Sequence, residues 1–103
     1  MSVVVVAVIE PKPGRIQDVL DAFAEVSPLV HDEPGCELYA AHTDGSTVVM
    51  VERWTSASDL QQHSDGAALV TLGTLFGDAL TKPATVYAVQ NVPIGDSGKG
   101  TIA

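Results

Sequence analysis

Residues 48–63 read VVMVERWTSASDLQQH, a stretch that combines a strand with the start of a helix. Apolar and β-branched residues lead into Glu52 and Trp54, a pattern typical of a buried strand. Because successive side chains of a strand point to opposite faces, Met50, Glu52 and Trp54 are predicted to share one face. His63 follows nine residues after the indole. Nowhere else does the sequence gather an ionisable group, a large aromatic and a histidine so closely, so this stretch is the candidate site.

The helix that carries His63 has a start signal and a stop signal. Ser56 stands three residues before Asp59, and its hydroxyl can cap the helix by accepting a hydrogen bond from the backbone there. Residues 64–66, Ser-Asp-Gly, end the helix after His63. A second helical segment, expected to run as far as Lys82-Pro83, follows. Its apolar stripe consists of Ala68, Leu69, Leu72, Leu75, Phe76 and Ala79.

A strand and a long helix are predicted ahead of the candidate site. Val3–Ile9 is apolar throughout, without alternation, so this strand should be covered on both faces. A helix ending before Pro34-Gly35 follows, with an apolar stripe of Ile16, Val19, Leu20, Phe23, Val26 and Val30. Pro28 is expected to kink or briefly break this helix; the alternative is a new turn capped by Ser27.

The remaining strands complete a familiar order of elements. Cys36–Thr43 and residues 47–54 flank an Asp44-Gly45 turn and form a hairpin, and residues 85–92 form the last strand. The order is β-α-β-β-α-β, and right-handed crossovers place the first and third strands side by side. The predicted class is α+β, with a ferredoxin-like antiparallel four-stranded sheet and helices on one face.

The other sheet face would leave apolar side chains in water. Burial of apolar surface contributes about 25 cal/mol per Å², so an exposed face of this kind is unfavourable. A second copy of the chain packing sheet to sheet would cover it. We therefore expect a homodimer with a two-chain α/β barrel or sandwich.

Length and composition predict the domain organisation. The 103 residues predict one domain over 1–92, and residues 93–103, with three Gly and one Pro, predict a flexible tail.

Composition also limits the partners and the compartment. Thirteen Asp and Glu against five Lys and Arg give a net charge of -8, which argues against nucleic acid and membrane surfaces. Val3–Ile9 is too short for a membrane span and lacks the basic lead of a signal peptide. Cys36 is the only cysteine, which fits the cytoplasm.

Several motifs together resemble the antibiotic biosynthesis monooxygenase family, over about residues 3–92. They are Pro11-Lys12-Pro13-Gly14, residues 33–39 (EPGCELY), Glu52-Arg53-Trp54 and the spacing of Ser56, Leu60 and His63. The resemblance implies the dimeric α+β barrel fold. It also implies kinship with small quinol monooxygenases that use O2 without flavin, haem or metal. Isomerases of small signalling sugars are further relatives, and haem-degrading relatives carry an asparagine early in the first strand that is missing here.

With the resemblance, the chain is predicted to be a cofactor-independent monooxygenase of a small aromatic quinol or polyphenol. His63 is the predicted base, with Trp54 and Glu52 as the other catalytic candidates. The substrate-binding candidates are Phe23, Tyr39, Met50, Leu72, Phe76 and Tyr87. Each of these residues has a structural alternative: a helix-terminal histidine, a core indole, a structural ion pair or ordinary core packing. The corresponding alternatives for the chain are a noncatalytic ligand-binding or dimerisation module and an isomerase of a small signalling metabolite.

No cofactor or metal site is predicted. The three histidines lack the spacing of a metal motif, and there is no G-x-G-x-x-G or Walker sequence. Cys36 has no activating neighbour in sequence, so a small buried apolar role is expected for it. The expected partners are therefore the aromatic substrate, O2 and a second copy of the chain.

Overall fold

The chain alternates strands and helices as expected for a ferredoxin-like fold. The computed structural model describes residues 2–102, and four strands and three helices lie within them. They are β1 (Val3–Ile9), α1 (Ile16–His31), β2 (Cys36–Thr43), β3 (Val48–Trp54), α2 (Ala57–Ser64), α3 (Ala67–Phe76) and β4 (Thr85–Val89). The bounds of β1 and β2 agree with the prediction, and β3 starts one residue later than predicted.

The strands form one antiparallel sheet in the order β2-β3-β1-β4. The predicted pairing of the first and third strands is confirmed, with Val3 opposite Trp54. A tight turn joins β2 to β3, where Asp44 Oδ1 accepts a hydrogen bond from the Thr47 N–H at 2.8 Å. Gly45 in this turn has a φ of 97°, a conformation that glycine adopts without steric cost. The predicted α+β, ferredoxin-like class is therefore confirmed.

One face of the sheet carries the helices and the hydrophobic core. On β3 the side chains of Met50, Glu52 and Trp54 are buried on this face, as the alternation predicts. Val5 of β1 and Phe23 of α1 belong to the same core. This inner face is where the predicted site residues of β3 meet the helices.

The long helix α1 runs through Pro28 without interruption. The predicted break and the new turn capped by Ser27 are wrong, and a kink at Pro28 stays a prediction. Val26 and Val30, on either side of the proline, are fully buried against the core. Their burial holds this turn helical, because proline in a helix removes one backbone hydrogen bond while the packing of its neighbours remains.

The helical region after β3 is divided as predicted, but it ends early. The Ser56 Oγ accepts a hydrogen bond from the Asp59 N–H at 3.1 Å and caps α2. α3 stops at Phe76 and not at residue 82, because Gly77 follows with a φ of 54°. The chain then returns to the sheet, where Pro11 bridges Leu80. Along residues 2–102, no helix combines the length and apolar character needed to cross a membrane.

β4 ends at Val89, three residues before the predicted end. Val89 pairs with Val4, and β1 begins at Val3, so the strand has almost no partner beyond this point. The following segment closes on itself: the Asn91 Nδ2 donates to the Ile102 carbonyl at 3.0 Å, and the Ile102 N–H donates to Asn91 Oδ1 at 2.9 Å. Mobility of residues 93–103 stays a prediction, and Met1 and Ala103 lie outside the described residues.

Candidate active site

A cavity of about 330 Å³ lies between the inner sheet face and the helices. Five of the six predicted substrate-binding residues line it: Phe23, Tyr39, Met50, Leu72 and Phe76. Glu52 and His63 also line it, among mostly apolar neighbours. Val86 of β4 is another lining residue and is 59% exposed, which marks the open side of the cavity. The space under the helices is therefore not filled by core side chains.

His63 lies at the wall of this cavity, with one carboxylate near each of its ring nitrogens. Its side chain is only 5% exposed. The Nδ1 atom lies 2.6 Å from Glu33 Oε1, within hydrogen-bonding distance. The Nε2 atom lies 3.9 Å from Glu52 Oε1, too far for a hydrogen bond. The ring nitrogen on the side of Glu52, which itself lines the cavity, is thus the one available to a bound molecule.

Trp54 supports the site from behind the cavity. Its Nε1–H donates to Glu52 Oε1 at 2.9 Å, and its ring stacks on the His63 ring with a centroid separation of 4.5 Å and an interplanar angle of 27°. The indole is fully buried and is not among the residues that line the cavity. It therefore fixes the Glu52 carboxyl and the imidazole plane from outside the cavity.

Aromatic rings form another part of the cavity wall. Tyr39 lies edge-on to His63 with ring centroids 5.6 Å apart, and Phe23 lies 5.5 Å from Phe76. Burial raises the pKa of the Tyr39 hydroxyl far above its ordinary value, and the negative charges of Glu52 and Glu33 add to this rise. At neutral pH the hydroxyl keeps its proton, so it can donate a hydrogen bond to a ligand.

The structure places Tyr87 away from the other candidates. It pairs with Val6 on the outer face of the sheet, and it is 55% exposed. Val86, one residue earlier, points into the cavity in its place. Because side chains alternate along a strand, the register of β4 against β1 decides which of the two faces inward.

The other histidines and the cysteine do not join the site. His31 Nε2 lies 3.0 Å from the Tyr39 carbonyl oxygen, and His42 is exposed on β2. Burial raises the pKa of the half-buried Cys36 thiol, and the carboxylates of Glu33 and Glu52 raise it further, which disfavours a nucleophilic thiolate. Among residues 2–102, no three His, Cys, Asp or Glu side chains are grouped so that they could hold a metal ion.

Glu33 is the site residue that sequence reasoning missed. It lies thirty residues from His63, in the short connection between α1 and β2. The same connection is tied to the end of β3, because the Thr55 N–H donates to the Gly35 carbonyl at 2.9 Å. The only sign of this residue in the sequence is that its carboxylate directly precedes Pro34-Gly35. These two residues predict a turn, but they do not predict which side chain the Glu33 carboxylate contacts.

The buried Glu52 carboxyl has an altered pKa. Burial raises it above its ordinary value; the hydrogen bond from Trp54 and the neighbouring His63 oppose the rise, and the Glu33 charge reinforces it. The folded state thus binds this proton more tightly than the unfolded chain does. The contribution of Glu52 to stability is fully present below the unfolded pKa of about 4.3 and is lost as the pH rises through the folded pKa.

Replacing Glu52 by glutamine is expected to remove this pH dependence. Glutamine keeps an oxygen that can accept from Trp54 but cannot ionise. The free energy of unfolding of the wild type, measured in urea relative to that of Glu52→Gln, should fall as the pH rises above about 4. Glu37→Gln is the matched control, because the hydrogen bond from Arg53 lowers the pKa of Glu37. The free energy of unfolding of the wild type relative to that of Glu37→Gln should therefore rise with pH, not fall. A difference between wild type and Glu52→Gln that does not change with pH would contradict the prediction.

Comparison with known proteins identifies the family. Residues 2–71 match the sequence model of the family described as antibiotic biosynthesis monooxygenase. The protein of Escherichia coli K12 named probable quinol monooxygenase YgiN is 36% identical, with 57% of this chain and 69% of that protein covered.

Solved structures share the fold. Rv0793 from Mycobacterium tuberculosis superposes with a TM-score of 0.80 at 23% identity, covering 94% of this chain and 99% of that chain. A crystal structure of an antibiotic biosynthesis monooxygenase superposes with a TM-score of 0.80 at 26% identity, covering 88% and 99% of the two chains. The family match and the similarity to YgiN support a monooxygenase-like function. Because that match extends over most of the chain, the protein belongs to the antibiotic biosynthesis monooxygenase family.

Proposed function

We propose that the protein is a monooxygenase that oxidises a small aromatic quinol or polyphenol with O2, without a cofactor. The observation that carries the proposal is His63, a buried imidazole at the wall of an apolar cavity, with Nδ1 held by Glu33 and Nε2 left available. The name of the relative YgiN points to the same substrate class. A cavity of about 330 Å³ is at the lower end of the usual range for ligand pockets and suits one small ring system.

The proposed reaction begins with proton transfer from a quinol hydroxyl to His63 Nε2, which leaves the O–H electron pair on the substrate oxygen. The electron-rich anion gives one electron to O2, and the resulting radical and superoxide combine to form a C–O bond. The peroxide oxygen then takes up one proton from water, which replaces the proton lost from the substrate hydroxyl. If this carbon carries a hydrogen, loss of water from the hydroperoxide leaves one oxygen atom in a hydroxyquinone. The substrate supplies all the electrons, which is the part that a flavin plays in other oxygenases.

The side chains around the base have separate roles in this proposal. Tyr39 and Glu52 can hydrogen-bond the substrate oxygens, while Phe23 and Phe76 pack against its ring. Trp54 keeps the imidazole and the Glu52 carboxyl in place. The predicted contribution of Tyr87 to substrate binding has no support, because this side chain lies on the outer sheet face.

Isotope labelling tests the reaction class. We expect quinols found in a thermal-shift screen to consume O2 in the presence of the enzyme. With ¹⁸O2, one labelled atom should enter the product and the other should enter water. Oxidation to the unsubstituted quinone with release of labelled H2O2 would show a quinol oxidase and contradict the monooxygenase assignment.

Charge favours neutral substrates over anionic ones. The net charge of the chain is -8, and two carboxylates, Glu33 and Glu52, flank the imidazole. A phosphorylated sugar would be repelled at this position, whereas an uncharged quinol would not. The same acidic surface disfavours nucleic acid and anionic membranes as partners. We place the reaction in the cytoplasm, because a chain with Cys36 as its only cysteine forms no internal disulfide.

We also propose that the protein acts as a homodimer through the outer face of the sheet. Val6, Val51, Tyr87 and Val89 lie on this face, outside the core that the helices cover, and Val4 beside them is already buried in the single chain. Tyr87 and Val89 are 55% and 46% exposed in the single chain. A contiguous apolar surface of this kind on a sheet is typical of an interface.

Val6→Glu is expected to weaken the dimer, because Val6 lies between Val51 and Tyr87 in the middle of this face. Burying an unpaired carboxylate costs several kcal/mol. In sedimentation analysis the wild type should have twice the chain mass of 10.7 kDa, and the variant should shift to the single-chain mass. Val70→Glu is the control, since Val70 on α3 is 68% exposed. A wild type that stays monomeric would refute the dimer, and a variant that dimerises normally would refute this face.

A further inference from the structure

The contact between Glu33 and His63 connects the buried imidazole to the surface of the protein. The His63 side chain is 5% exposed and the Glu33 side chain is 20% exposed. Their closest atoms, Nδ1 and Oε1, are 2.6 Å apart. The imidazole therefore has one nitrogen on the cavity side and the other joined to a carboxylate that water can reach.

We propose that Glu33 is a positioning residue that holds His63 in the Nδ1–H tautomer and passes the proton taken from the substrate to solvent. This proposal rests on the function of His63 as the base in the reaction proposed above. Glu33 itself does not touch the cavity, since it is not among the residues that line it.

The geometry favours Glu33 over Glu52 for this role. A carboxylate can only accept hydrogen bonds, so the 2.6 Å contact requires the hydrogen of the neutral ring on Nδ1 and leaves the lone pair on Nε2. Glu52 is 3.9 Å from Nε2, and its nearest oxygen already accepts from Trp54. Glu52 is also buried, so it cannot hand a proton to bulk water.

The proton path has two transfers and no change of oxidation state. The substrate O–H proton moves to His63 Nε2 while its electron pair stays on the substrate oxygen, and the Nδ1 proton moves to Glu33 Oε1. Water then takes the proton from the Glu33 carboxyl. Water can reach this carboxyl because the Glu33 side chain is 20% exposed.

The titratable groups that face His63 are few. Glu33 approaches from the α1–β2 connection, Glu52 from β3 and Tyr39 from β2. The sequence of α3 contains no titratable side chain. Substitution of Glu33 therefore separates its effect on His63 from the effects of Glu52 and Tyr39.

Two variants separate the two halves of the proposal. Glu33→Ala removes the acceptor, and Glu33→Gln keeps an acceptor oxygen for Nδ1–H but cannot take up the proton. Asp32→Asn is the matched control, since it removes the same charge from the adjacent exposed residue. Glu33→Gln also serves if the alanine variant fails to fold.

The first measurement is ¹⁵N NMR of the His63 side chain, with its signals assigned by their loss in His63→Gln. The neutral wild-type ring should carry its proton on Nδ1; the proton should stay there in Glu33→Gln and Asp32→Asn. In Glu33→Ala the ring should become a mixture of both tautomers. An unchanged Nδ1–H tautomer in Glu33→Ala would overturn the positioning role, and this readout needs no activity.

The second measurement is steady-state quinol oxidation. Both Glu33 variants should lose about 10- to 100-fold in kcat with little change in KM, a typical effect of removing the partner of a functional histidine. Asp32→Asn should keep the wild-type kcat. A normal kcat in Glu33→Gln would overturn the proton path. If the wild type oxidised no quinol while the tautomer shift appeared as expected, the proposed function and the proton path would both fail, and the positioning role would be supported.

Discussion

His63→Ala is expected to reduce kcat for quinol oxidation about 100- to 10,000-fold, the usual contribution of a general base. The reason is that the Nε2 atom of His63 is buried at the cavity wall and has no hydrogen-bond partner among residues 2–102. Without it the substrate hydroxyl would have to lose its proton unaided in an apolar cavity, where an anion is disfavoured. Oxygen consumption under saturating quinol measures the effect.

Two controls make this result specific. His42→Ala removes another histidine, which is exposed on β2, and should leave kcat unchanged. Adding imidazole to His63→Ala should restore part of the rate, because the deleted ring leaves space in the cavity wall for it. Wild-type rates in a folded His63→Ala variant would rule out His63 as the base.

Gly35→Ala is expected to lower the free energy of unfolding by about 2–5 kcal/mol. Gly35 has a φ of 78°, where a side chain costs about 1–2 kcal/mol. A Cβ there would also lie 2.5 Å from the Cβ of Asp59, in the first turn of α2. Relieving that overlap must displace the helix or the connection, at a further cost of about 1–3 kcal/mol.

Gly14→Ala is a closely matched control for this prediction. Gly14 has the same φ of 78°, but a Cβ there meets no atom within 4 Å. The difference between the two variants in urea unfolding, at one protein concentration, therefore isolates the contact with Asp59. Gly35→Ala should also slow quinol oxidation, because α2 carries His63 and the connection carries Glu33. Equal losses in the free energy of unfolding of the two variants would show that the overlap with Asp59 does not contribute to the loss.

Much of the fold follows from local sequence patterns. The β-branched run Val3–Ile9 and the hairpin around Asp44-Gly45 have the predicted bounds to within one residue. The Ser56 cap forms as the spacing to Asp59 predicts. Local patterns succeed here because capping, turn geometry and strand alternation involve residues that are neighbours in sequence.

The prediction of the fold is wrong where residues distant in sequence decide how far a helix or strand extends. The helix continues through Pro28 because Val26 and Val30 are buried by the core. β4 stops at Val89 because its partner strand begins at Val3. Neither the packing around a proline nor the length of a partner strand is visible in the local pattern.

The sequence by itself determined the elements, their order and the shared face of Met50, Glu52 and Trp54, because strand alternation and helical spacing are local properties. Only the tertiary structure decided that Glu33 meets His63 across thirty residues, and that Trp54 stands behind the imidazole. These contacts depend on how a turn docks on a helix and how two strands align. Both are settled by long-range packing, which the pattern of neighbouring residues does not contain.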